Sequence, residues 1–486
     1  MDLTIPSTDL TAILPQITLI GAASVLLLLS LSDRLRRAMP YLALLALAVV
    51  AVQVAGLWGQ APRSFTDMMV RDDFTGFADL IFIAGAILTI LISVAYAETH
   101  GIDRGEYYAL ILFAVSGMSL MAASVDLFTF FLSLEVLSIS LYVLIGFERG
   151  EPMSNEGALK YFLLGAFASG FILYGIALIY GATGTTHYQD LTTFVNHAVP
   201  GPKNLLLLAG LGLLLVGLGF KVSMAPFHGW TPDVYQGAPT PISAFMATGS
   251  KAAGFAVLIR VFASVFAELR VDWVPLLWGL TVLTMTIGNI VALVQTDLKR
   301  LLAYSSIAHA GYMLLAIVAG GAEGSSSILF YLLVYTLMNV AAFGVIAVLS
   351  AKGEASHTLD EIAGLGVRRP ALAAVMAVAM FSLAGIPPTA GFMAKFYVFS
   401  AVVKADFLGL AVIGVLNSGV SLYYYLRVVV WMYMRESTRP VPSPADRRLS
   451  LNGLAALFIS ALALLQIGIM PSSLLQIAQR AVLMLR

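Results

Sequence analysis

The chain has 486 residues, of which 59% are hydrophobic and only 11% charged; a soluble domain carries roughly 25% charged residues, so this one cannot cover itself with polar surface. Its 27 basic and 27 acidic residues cancel, which excludes a net field for nucleic acid or an anionic partner. Cysteine is absent, which excludes disulfides, thiolate-held iron–sulfur clusters and zinc–thiolate sites within the chain.

Apolar runs long enough to cross about 30 Å of hydrocarbon as a helix recur fourteen times along the sequence. They fall roughly at 10–31, 40–58, 74–97, 107–124, 127–147, 157–182, 204–236, 242–267, 273–295, 299–320, 326–350, 371–402, 407–434 and 450–470. The runs are continuous, unlike the roughly ten-residue alternating segments of a membrane barrel. They predict an all-α polytopic membrane protein with about 14 transmembrane helices. The first run, Leu10 to Leu31, is too long for the apolar part of a signal peptide and is followed, not preceded, by Arg34, Arg36 and Arg37; it is expected to be a retained span. Loops after odd-numbered spans hold fourteen Lys and Arg, and loops after even-numbered spans hold five. That bias puts the odd side in the cytoplasm and both termini on the periplasmic side.

Two runs are interrupted. Lys221, Pro226 and His228 break the seventh, and Pro387-Pro388 break the twelfth. Sixteen residues, Leu205 to Phe220 or Ala371 to Ile386, rise only about 24 Å as a helix, so each run is expected to be a broken helix that resumes beyond its prolines. Glu135 in the fifth run and Lys221 in the seventh both acquire ionisable partners when 174 is added, at His309 and Lys395. A shift of five spans is odd, so the second copy must cross the bilayer in the opposite sense. Inverted repeats with broken helices are the usual build of secondary transporters. The expected layout is three helices in 1–100, a first five-helix repeat (spans 4–8) in 101–270, a second (spans 9–13) in 271–435, and a last helix and tail in 436–486.

Six ionisable groups fall inside the runs in a pattern that suggests function: Glu135, Lys160, Lys221, Lys251, His309 and Lys395. At about 2.5–3.5 kcal/mol per mid-membrane charge, six unpaired charges would cost on the order of 15–20 kcal/mol, more than the whole margin of about 5–15 kcal/mol that holds a protein folded. They must pair, neutralise or line water, and a connected hydrophilic path does all three. Taken singly each has a blander reading: Lys221 snorkelling to an interface, Glu135 in a structural ion pair, His309 as a satisfied core residue. Lys160 and Lys251 meet Val334 and Tyr425 at the 174 offset, which leaves Lys160 the weakest member. His228, Trp230 and Asp233 fit no ligand spacing and are expected to form a structured cytoplasmic turn. No phosphate loop or dinucleotide fingerprint is present.

The segment from Phe220 to Pro241, FKVSMAPFHGWTPDVYQGAPTP, followed by Lys251, closely resembles the central motif of the antiporter-like membrane subunits of respiratory complex I. The segment from Gly385 to Tyr397, GIPPTAGFMAKFY, is similar to the second broken helix of that family. The likeness extends over spans four to thirteen. Carried over position by position, it makes Glu135 and Lys221 the coupling pair of a first half-channel, Lys251 the central relay, and Lys395 the proton-holding group of a second half-channel, with His309 between them. It implies a proton-pumping arm of NADH:quinone oxidoreductase in a bacterial inner membrane. This chain would hold no cofactor; FMN, iron–sulfur clusters and quinone would lie in partner subunits, and its neighbours would be another antiporter-like subunit and small membrane subunits. A cation/proton (Na⁺/H⁺) antiporter subunit, the equivalent subunit of a photosynthetic relative, and a purely structural scaffold stay open as alternatives.

Overall fold

The computed structural model describes residues 7–64, 67–198, 203–350, 358–436 and 450–483. Lys352, Arg439, Arg447 and Arg448, counted above among the odd-side charges, lie outside these residues. Helices α1 (Ser7–Leu29), α2 (Met39–Gly56), α3 (Asp73–His100), α4 (Gly105–Ala123), α5 (Leu127–Ile145) and α6 (Pro152–Thr183) make the first six crossings. A short helix α7 (Tyr188–Ala198) leads to α8 (Leu205–Lys221), and an irregular turn separates α8 from α9 (Thr231–Gly237). The next rod contains α10 (Thr240–Phe245) and α11 (Lys251–Leu258), each followed by a π-helical turn, Met246–Ser250 and Ile259–Val265. Then come α12 (Arg270–Leu293), α13 (Leu298–Ala319), α14 (Gly321–Leu349), the short α15 (Leu359–Ile362) and α16 (Leu365–Arg368), α17 (Pro370–Ala384), α18 (Ala390–Lys404), α19 (Leu408–Met434), α20 (Leu451–Ile469) and α21 (Ser472–Leu483).

Among the described residues, twelve helical stretches are long and apolar enough to span a membrane. The interrupted pairs α8/α9 and α17/α18 occupy the places of the seventh and twelfth expected spans. Polar caps set several boundaries: Asp72, Asp126, Asn204 and Asp297 each accept a backbone N–H of the first turn that follows, satisfying donors that have no partner inside a helix. Helix α6 starts five residues before the expected 157, because Pro152 occupies the first helical position, where a missing N–H costs nothing. Four helices, α7, α15, α16 and α21, and an antiparallel hairpin of β1 (Arg63–Ser64) with β2 (Met69–Val70) were not expected; they are too short or too polar to register as apolar runs.

Burial sorts the spans. The rod Thr240–Val265 is wholly buried and α13 nearly so (94%), whereas α1, α2 and α20 are each one-third buried and α6 28%. The former form the spine and the latter present apolar surface to lipid, where exposed leucine and phenylalanine are at home.

The duplication is visible as repeated contacts. A Cβ added to Gly117 of α4 would come within 2.6 Å of Leu137 N on α5, and one added to Gly288 of α12 within 2.5 Å of Ala308 N on α13. Asp126 bridges His187 just before α5, and Asp297 bridges Thr358 just before α13. All four residue pairings differ by 171, and α4 and α12 stand five crossings apart, so the second copy runs the opposite way. This corrects the 174 offset. At 171, Glu135 corresponds to Ser306 and His309 to Ser138, one helical turn from the match expected. The two breaks are also out of step: Lys221 ends the half-helix before its break, while Lys395 sits in the half-helix after its own.

Candidate functional site

The break after α8 frees backbone groups that hydrocarbon cannot satisfy, and neighbouring side chains take them. Trp230 Nε1 donates to Phe220 O at 3.0 Å, and Thr284 of α12 accepts from Ala225 N at 3.0 Å. Lys221, on the last turn of α8, is 4% exposed. Its Nζ donates to Ser138 Oγ of α5 (3.1 Å) and Tyr161 Oη of α6 (3.3 Å) and lies 5.7 Å from the Tyr161 ring centre. Glu135 is one turn before Ser138 and accepts from Ser169 Oγ. The expected Glu135–Lys221 pair is therefore not a direct contact: Lys221 donates to Ser138, Glu135 accepts from Ser169, and Glu135 is only half-buried on α5.

Lys251 follows the first π-helical turn and is 1% exposed. A Cβ on Gly254, one turn further along, would meet Lys221 Cγ at 3.5 Å, so the α11 backbone packs directly against the stem of Lys221. Lys251 Nζ donates to Ser306 O at 2.7 Å and to Ser306 Oγ, and lies 6.0 Å from the Tyr335 ring centre. The same Tyr335 ring is 5.2 Å from the His309 ring. His309 Nδ1 shares a hydrogen bond with Tyr331 Oη (2.7 Å) and Nε2 with Tyr425 Oη (3.0 Å). A neutral imidazole donates through one nitrogen and accepts through the other, so exchanging tautomers reverses both bonds without losing either. The Tyr312 ring is 5.6 Å from His309 and lies 5.0 Å beneath Lys395 Nζ.

Lys395 closes the line. Its Nζ donates to Ser418 Oγ of α19 and to Ala384 O, both at 2.9 Å. Ala384 is the last residue of α17, where Gly385 turns the chain left-handed at φ 82° and leaves that carbonyl without a helical donor. The lysine of the second half-helix thus caps the first.

Lys221, Tyr161, Lys251, Tyr335, His309, Tyr312 and Lys395 form a buried sequence of basic groups separated by aromatic hydroxyl side chains. Ser250 Oγ, Tyr235 Oη and Tyr335 Oη are buried without a well-formed hydrogen bond, though Tyr161 and Ser306 stand beside them; water can complete their bonding. Each lysine here meets hydroxyls or carbonyls, never a carboxylate. A hydroxyl accepts from an ammonium and donates to a neutral amine, so the proton can come and go with a partner present in both states.

Lys160 is corrected. Its side chain is 40% exposed and ion-paired with Asp233 (2.7 Å) and Glu156 (2.6 Å), and Asp233 also holds Arg300 at 2.8 Å. It braces α6 to α9, the helix after the first break, and stands off the buried line. Lys299, assigned to a loop from sequence, is 5% exposed and donates to Ala238 O at 2.6 Å. The tyrosines were missed, although helical spacing marks them. Tyr331 and Tyr335 are four apart on α14; Ser306, His309 and Tyr312 are three apart on α13, which puts each set on one face. Among the described residues no group of three or more His, Asp or Glu could hold a metal ion.

Residues 124–421 match the family model described as NADH:quinone oxidoreductase/Mrp antiporter, TM. The chain is 49% identical over 481 residues to the NADH-quinone oxidoreductase subunit N of Trichlorobacter lovleyi, covering 98% of this chain and 97% of that protein. A chain of respiratory complex I from Thermus thermophilus superposes with a TM-score of 0.79 at 38% identity, covering 95% of this chain and 98% of that one. A chain of the Mrp complex from Dietzia shares the fold, with a TM-score of 0.82 at 22% identity and coverage of 98% and 97%.

Proposed function

The chain belongs to the NADH:quinone oxidoreductase/Mrp antiporter membrane family, and on that premise we propose that it is the proton-translocating subunit N of a bacterial NADH-quinone oxidoreductase. The observation that carries this reading is the continuity from Lys221 through Lys251 and His309 to Lys395. In it every basic group is buried and every neighbour is a hydroxyl, a ring or a backbone carbonyl.

A proton on Lys221 passes, through the hydroxyls and water around Ser250, to the neutral amine of Lys251. Lys251 gives it up toward Tyr335 and His309, whose tautomer exchange carries it across α13. Lys395 receives it above the Tyr312 ring, where the freed Ala384 carbonyl and the ring face favour the ammonium. Glu135, half-buried on α5, acts on Lys221 by its charge, so a change of charge beside α5 is felt at the start of the line. NADH oxidation and quinone reduction belong to partner subunits, which hold the FMN, iron–sulfur clusters and quinone. This chain sits among the membrane-arm subunits of a bacterial inner membrane with both termini periplasmic.

The test is proton pumping by the assembled complex in inverted membrane vesicles. Lys221→Ala and Lys395→Ala should each abolish the NADH-driven pH gradient while the complex still assembles; pumping at wild-type stoichiometry in both would end the reading. The Mrp likeness, at 22% identity, shows a common fold alone. Na⁺-dependent proton exchange by the isolated chain without electron transfer would favour an antiporter.

A further inference from the structure

A cavity of about 490 Å³ opens between the α3–α4 and α5–α6 loops, lined among others by His100, Arg104, Phe147 and Glu148. Both loops follow odd-numbered spans and so lie on the side assigned to the cytoplasm. Nothing in the transport line described above uses this cavity. It has a polar floor. Glu148 straddles cavity and core: the residue is half-buried, yet its Oε1 is fully buried and has no hydrogen-bond partner. His100 Nδ1 is bound to Tyr96 O at 2.9 Å, and its ring stacks on Tyr96 at 3.8 Å, which leaves Nε2 for the cavity.

Inward of Glu148 the polar groups continue. Tyr96 has Glu148 and Thr240 as polar neighbours, and Thr240 Oγ1, at the start of α10, is buried without a hydrogen-bond partner. Lys299 Nζ lies on the same side of α10, on Ala238 O. Tyr235 Oη, a third buried atom without a hydrogen bond, has Ser306 as its polar neighbour, and Ser306 holds Lys251. Buried orphan groups cost about 1–3 kcal/mol each when dry. Polar groups of this kind recur between the solvent cavity and the lysine, where water can complete their hydrogen bonding.

We propose that Glu148 is the proton-collecting group of a cytoplasmic uptake passage that runs by Tyr96, Thr240 and Tyr235 to Ser306 and Lys251. The inference rests on the proton-translocating reading above and adds the side from which Lys251 is loaded. The carboxylate takes a proton from cavity water and becomes a neutral acid. Its inward Oε1 then releases that proton to passage water, which delivers it to the neutral amine of Lys251, and Glu148 is again a carboxylate. Burial holds the Glu148 carboxyl above the ordinary range, with His100 and Lys299 pulling the other way. The charged and titratable groups around it are Tyr96, His100, Tyr107, Lys299, and Arg104, Arg149 and Glu151 of the two loops.

The experiment compares wild type, Glu148→Gln, Thr240→Val and Lys251→Ala in the complex, reading pH-gradient formation in inverted vesicles across a range of pH. Glu148→Gln, which can neither take up nor release a proton, should pump several-fold more slowly, with the largest deficit at alkaline pH, where free protons are scarcest. Thr240→Val, which keeps the shape and removes the hydroxyl, should slow pumping at every pH. If Glu148→Gln does not assemble, Thr240→Val carries the test. Wild-type pumping across the whole range in both variants, with Lys251→Ala inactive, overturns the uptake passage and leaves the transport reading standing. Wild-type pumping by Lys251→Ala overturns the transport reading itself.

Discussion

Two regions of this bundle bury positive charge, and they do it in opposite ways. At the start of α3, Arg260 Nη2 grips both oxygens of Asp72, at 2.7 and 2.9 Å, and Arg71 is bound to Asp79; all four side chains are 2–3% exposed. Along the line from Lys221 to Lys395, lysines equally buried meet only hydroxyls, rings and carbonyls. An arginine facing a carboxylate stays charged, because a guanidinium does not lose its proton in a protein. A lysine facing a serine can be charged or neutral. The first arrangement fixes a charge in place and the second permits a proton to leave, and the choice of partner decides which.

That contrast can be broken experimentally. Asp72→Ala leaves the Arg260 charge without its counter-ion and should destabilise the subunit by about 3–5 kcal/mol, seen as loss of the chain from membranes and a lower Tm of the purified complex. Lys251→Met removes a charge that has no carboxylate partner, so the subunit should accumulate normally while proton flux falls on the order of a hundredfold, the scale of losing a general acid–base group. If Lys251→Met instead disappeared from membranes as Asp72→Ala should, the two regions would be alike and the distinction wrong. Tyr335→Phe sharpens the picture. It keeps the ring that Lys251 and His309 share and deletes a buried hydroxyl with no well-formed hydrogen bond, so flux should drop by about tenfold or less with little loss of stability. A stabilised, fully active Tyr335→Phe would mean that the site is dry. Ser138→Ala should have the smallest effect, about 1 kcal/mol, read as a modest slowing of pumping that Ser138→Thr restores.

The spans, their broken members and the buried lysines were legible because each is a departure from an apolar background: a charge or a proline inside twenty hydrophobic residues is conspicuous. The duplication was legible in kind but off by one turn, since Glu135 and His309 look like a matched pair until Gly117 and Gly288 fix the register at 171. Lys160 and Lys299 exchanged places. Lys160 lies inside a long helix yet reaches Asp233 beyond the hydrocarbon, whereas Lys299 opens a helix yet folds inward onto Ala238. One-dimensional position does not carry side-chain direction. The tyrosines that join the lysines were hidden for a different reason: in an apolar run a tyrosine that packs and one that conducts are the same letter, and only a shared neighbour tells them apart. Glu148 was passed over because it falls in a loop.

Gly254 shows what a missing atom can accomplish. Any methyl at that position would run into Val222 at 2.7 Å, just where the chain leaves α8 for the break. The seam between α8 and α11 is therefore one side chain thinner than it could be. Sequence drift to alanine would add no charge and remove no bond, yet it would push on Val222 and on the turn that Trp230 clamps.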